Sequence, residues 1–176
     1  MSLISKPFDD SGVEMVDEIA QYGTAISKRL EQFRSKRQLR HDAPGSYSGI
    51  VIAASICSAM GNIIERSNQE SFRAGYARAA QTFFFEHVSP DAPSIPATVE
   101  DCRSSPELLQ VINALLADDQ ILPADGSVSL QTVMMALVWS ALTFAMESLP
   151  TEQARFYVQE QILNGDTERR NDDLRN

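Results

Sequence analysis

Cysteine and histidine are scarce in this chain: Cys57 and Cys102, His41 and His87 are all that 176 residues contain. These four share no ligand spacing, so a structural zinc site has no support, and two cysteines are too few for a disulfide framework. Positive charge is also short, with 15 Lys and Arg against 24 Asp and Glu and a net charge of −9. That balance argues against a protein whose main work is coating nucleic acid or an anionic membrane. Long apolar runs are missing. The two longest, Ile50 to Ile64 and Val133 to Met146, reach roughly 20 Å as helices, short of the ~30 Å hydrocarbon layer. The first ten residues lack the apolar stretch of a secretory signal, so they read as a flexible N-terminus, and the expected address is the cytoplasm. Neither G-x-x-x-x-G-K, G-x-G-x-x-G nor G-x-S-x-G occurs, which removes the usual phosphate cradles and the esterase elbow. No window alternates apolar and polar residues as a half-buried strand does, and no repeat of fixed period is present.

What remains is a row of helices. Ser11 and Glu14 are spaced as a capping box, and Val16, Ile19, Gly23, Ile26, Leu30 and Phe33 then recur at spacings of three and four. This pattern predicts an amphipathic helix to about Gln38. Ala43-Pro44-Gly45 breaks the chain, and Ser46 or Ser48 can cap a second helix through Ile50 to Ile64. Nothing between Asn62 and Ala74 compels a break, so helix is expected as far as about His87, as one piece or two. The prolines at 90, 93 and 96 then impose a loop. Ser105-Pro106 starts a short helix, Ser127 or Ser129 caps the next, and Pro150-Thr151 starts the last, with Gly165 as its stop.

The fold class implied is all-α: a single-domain bundle of about five to six helices over residues 11–165, followed by a disordered polar tail over 166–176. The runs 50–64 and 133–146 are apolar nearly all round and are expected at its centre. A small bundle rarely needs two such helices, which makes a homodimer with one of them at the interface the expected assembly.

Charge and aromatic residues point to where a partner would sit. Residues 98–150 hold seven acids and one base, whereas Lys28 to Arg40 holds six bases, Lys28, Arg29, Arg34, Lys36, Arg37 and Arg40, against the single acid Glu31. The chain is polarised into a basic knob and an acidic face. The knob reads as a solvated helix end or as a steering surface for an acidic protein, for the acidic segment of a second copy or, least of all, for a phosphate backbone. The rings of Phe83, Phe84 and Phe85 fan over roughly 200° of a helix, wider than one buried stripe. Either the proline loop, through residues such as Ile95, covers the surplus ring, or the three rings with Phe72 and Tyr76 anchor a partner. The function expected is therefore that of a non-enzymatic, protein-binding helical bundle acting as adaptor, inhibitor or chaperone, with neither cofactor nor metal.

Two other readings have residues behind them. Glu14, Asp17 and Glu18 share a helix face, and Glu65 with Glu70 can oppose them from the second helix. The set resembles the paired acidic motifs of all-α nucleotide pyrophosphohydrolases, with Asn68 where that family has Asp and no basic or Gly-rich phosphate cradle. The resemblance implies metal-dependent hydrolysis of a nucleotide or phosphate ester. Met60, Met134, Met135 and Trp139 could instead line a site for a small apolar ligand between the two apolar helices. Around Gly126 the calcium-loop pattern lacks three of its oxygens, so a turn is expected there.

Overall fold

The computed structural model describes residues 10–38, 47–67, 80–85, 95–96, 99, 102–123 and 127–162, with the side chains of 10–15, 38, 66, 67, 82 and 83 left aside. Its secondary structure is helical, with no strand among the described residues, as the periodicity requires. The elements are α1 (Asp10–Gln38), α2 (Gly49–Ser67), a π-helical turn (Gln81–Phe85), α3 (Pro106–Leu116), α4 (Leu130–Ala145) and α5 (151–162).

Side-chain caps set several of the boundaries. Ser105 Oγ accepts from the amide of Leu108, with Pro106 in the first helical position. Ser129, rather than Ser127, caps α4 by accepting from the Thr132 amide at 3.1 Å. Ser48 Oγ accepts from the Val51 amide at 3.3 Å at the start of α2. At α5 the Pro150 carbonyl accepts from the Ala154 amide. Each of the three serine caps satisfies an amide that the first turn of a helix would otherwise leave without an acceptor. Helix α1 begins at Asp10, which places Ser11 inside the first turn instead of at the cap expected for it. After α3 the Asp118 carboxylate accepts from the Gln120 amide at 2.9 Å, and its carbonyl from the amides of Ile121 and Leu122. This Asx turn folds both apolar side chains into the core, where they are 8% exposed.

Direction follows from paired residues. A Cβ at Gly23 would fall 2.6 Å from Trp139 Cγ, Ser27 bonds Ser140 at 2.9 Å, and Arg34 bonds Glu147. The numbers rise together, so α1 and α4 run parallel. Between α1 and α3 they run oppositely, since Arg29 pairs with Asp118 and Arg37 with Glu107. Parallel neighbours require a long crossover, and α2 and α3 lie within it.

Helix α4 buries residues 134–138, 140–142, 144 and 145, leaving Trp139 half-buried and Thr143 exposed within that stretch. Helix α2 buries Ile50, Ile52, Ala53, Ala54, Ser55, Ile56, Cys57, Ala59 and Met60. Its buried hydroxyl is not orphaned: Ser55 Oγ donates to the Val51 carbonyl at 2.8 Å and accepts from the Ser105 amide at 3.0 Å. That second bond fastens the segment before α3 to α2. Helix α1 contributes a stripe of Ile19, Gly23, Ile26 and Leu30 at intervals of four, three and four, the spacing of one helix face. Residues 1–9, the 68–79 stretch on which continuity of the second helix depends, His87, Gly165 and the 166–176 tail lie outside the described residues.

Candidate functional site

At one end of the bundle four elements meet: the last turns of α1, Tyr47 ahead of α2, the start of α3 and the chain leaving α4. Arg34 lies at the centre of the contact. Its Nη1 and Nη2 reach Glu147 Oε2 and Oε1 at 3.1 and 2.9 Å, its Nε reaches Glu31 Oε1 at 3.2 Å, and Nη1 also bonds the Tyr47 carbonyl. The fork geometry suits guanidinium, which offers parallel donors to a carboxylate where an ammonium offers a point charge. The guanidinium sits 5.5 Å above the Phe144 ring. Its pKa is raised, most by the hydrogen bond to Glu147, with burial acting in the opposite sense.

One turn on, Arg37 bonds Glu107 and lies 4.5 Å over the ring of Tyr47. The Tyr47 hydroxyl donates to the same Glu107 carboxylate at 2.6 Å and accepts from Ser105 Oγ at 3.3 Å. Burial, then the bond to Glu107, hold the Tyr47 pKa above its ordinary value. Phe33 stacks on Tyr47 with ring centroids 6.3 Å apart and planes 16° from parallel. The Arg37 Nε is buried and has no hydrogen-bond partner.

This cluster changes the meaning of the basic knob. Arg34 and Arg37 are only 13% and 17% exposed, while Glu31, Glu107 and Glu147 are 50%, 48% and 40% exposed. The guanidinium groups therefore lie inside, and carboxylates form the outer rim. Arg29 is likewise bonded to Asp118, at 3.1 Å. An acidic segment of a second copy was one of the partners open to the basic knob; for these three arginines the acidic segment of the same chain supplies the carboxylates. Lys28 and Lys36 are exposed, and Arg40 lies outside the described residues.

The aromatic anchor divides in a similar way. Phe84 and Phe85 are 0% and 3% exposed, in the chain's own core. Half-buried Ile95 of the proline loop packs against that core as well. Two of the five rings expected to meet a partner are therefore already covered. Both rings lie in the π-helical turn, across which the Gln81 side chain donates from Nε2 to the Phe85 carbonyl at 2.9 Å while its Oε1 accepts from Gln159 Nε2 of α5 at 3.1 Å. A wider turn alters the angular step between successive side chains, so the α-helical fan of roughly 200° does not apply. Phe72 and Tyr76, and the side chain of Phe83, lie outside the described residues.

For the catalytic reading, Asp17 and Glu65 are exposed and Glu18 is half-buried. Among the described residues no three His, Cys, Asp or Glu side chains come together as a metal-holding group. The Glu14 side chain and Glu70 are not among them. For the apolar-ligand reading, Met60, Met134 and Met135 are at most 1% exposed within the common core. Cys57 is enclosed there too, and burial pushes its thiol up to about 12. The opposite of an activated nucleophile results, because the thiolate is the reactive form. His41 and His87, its conceivable partners in nucleophilic catalysis, are outside the described residues. No described helix is long and apolar enough to cross a membrane.

Sequence reasoning singled out Arg34 and Arg37 but missed Phe33, Tyr47, Glu107 and Glu147 as their neighbours. Arg34 and Glu147 are 113 residues apart, and Arg37 and Glu107 are 70 apart. No local spacing signals such a meeting. Comparison of the chain with protein-family models, with curated proteins and with solved structures finds no match.

Proposed function

We propose that this protein is a non-catalytic, cytoplasmic helical bundle that acts by binding protein, a second copy of itself or another chain, through the end where α1, α2, α3 and α4 meet. The observation that carries the reading is the half-buried Phe33 and Tyr47 stack, framed by two arginines and three part-exposed carboxylates. Tyrosine and arginine are the residue types on which interface energy concentrates, and rigid rings bind at small entropic cost. Hydrogen bonds hold the Tyr47 ring in place before any partner arrives, and Phe33 stacks on it from α1. Charge at the rim supports steering and orientation more than affinity.

The test is solution mass by light scattering together with chemical cross-linking in cell extract, comparing the native chain with Phe33→Ala and Tyr47→Ala. A dimer mass, or a cross-linked partner, that both variants lose while keeping native circular dichroism supports the reading. A monomer that cross-links to nothing, or an assembly indifferent to both variants, overturns it.

A further inference from the structure

We draw no further inference here: the strongest candidate, the outward rim of Glu31, Glu107 and Glu147 around the Phe33 and Tyr47 stack at the end of the bundle, belongs to the site already described, its carboxylates are bonded to Arg34 and Arg37 of the same chain, and nothing in the structure shows what covers it.

Discussion

From Ile19 to Leu30, α1 buries a residue in every turn against α4 and the rest of the core; from Glu31 to Arg37 the same helix buries none and is tied down by charge, by ring stacking and by one half-buried side chain, Phe33, packed against the core. Both stretches are continuous helix, so backbone hydrogen bonding does not distinguish them. What differs is where each stores its stability. Apolar burial has no charge for salt to screen and is lost when a side chain is shortened, while part-exposed ion pairs contribute little each and are screened as ionic strength rises. One helix is thus held mainly by apolar burial over one stretch and mainly by part-exposed charge over the next.

The sharpest way to break this comparison is truncation in each half. Leu30→Ala, at a fully buried position, is expected to destabilise by about 3 kcal/mol. Arg37→Ala should cost no more than about 1 kcal/mol, as expected of a part-exposed pair. Urea unfolding measures both, and equal losses would mean the ionic end is as integral to the fold as the apolar stripe.

Gly23 examines the closest approach in the apolar half. An added Cβ would lie 2.6 and 2.9 Å from Trp139 Cγ and Cβ. The Cβ of Trp139 is fixed to its backbone, so relief requires the two helix axes to separate. Gly23→Ala is expected to lose about 1–2 kcal/mol net, overpacking outweighing the alanine's better helix propensity. The chain has one tryptophan, so its fluorescence reports the displacement directly. An unchanged spectrum and an unchanged unfolding midpoint would contradict the packing.

Polar groups separate the two regions as well. At the ionic end the Tyr47 hydroxyl is bonded twice, whereas the Tyr157 hydroxyl, in the core, is buried without a partner. Removing an unpaired buried hydroxyl removes its desolvation cost, so Tyr157→Phe is expected to stabilise by about 1 kcal/mol. Burial pushes the Tyr157 phenol up from 10.0, with smaller contributions from Cys57 and Cys102, and raises the Cys57 thiol from 9.0 to about 12. The folded chain therefore holds these protons more tightly than the unfolded chain does. Their contribution is complete below the unfolded values and is lost as pH rises through the folded ones. Thermal midpoints are expected to fall from about pH 9 upward, and Tyr157→Phe combined with Cys57→Ala to flatten that decline. A native profile that is already flat would contradict the burial of both groups.

The smallest expected effect lies at the rim. Glu147→Gln keeps the shape of the side chain and removes its charge, so global stability should change by about 0.5 kcal/mol, and only at low salt. A large salt-independent loss would show that Arg34 acts through buried hydrogen bonding.

Much of the fold was legible because the signals are local. A Ser-Pro step at 105–106, Ser129 three residues before Thr132 and apolar residues at intervals of three and four each act within a turn or two, and the structure has a helix at each. The all-α class followed from the same periodicity. The candidate site was half legible. Arg34 and Arg37 stood out as charges in a run, but charge in a run says nothing about the direction in which a guanidinium points. Phe84 and Phe85 stood out as consecutive rings, but whether the chain itself covers them depended on packing around the π-helical turn, which no local spacing reports.

The sequence by itself determined that this chain makes helices, where several of them start and which face of α1 is apolar, because caps and periodicity act through neighbouring backbone. Only the tertiary structure decided that three arginines of the basic run are bonded within the chain and that carboxylates face outward around two of them. Coulomb attraction and hydrogen bonding depend on distance in space, and Glu107, Asp118 and Glu147 reach α1 only after α3 and α4 have packed against it.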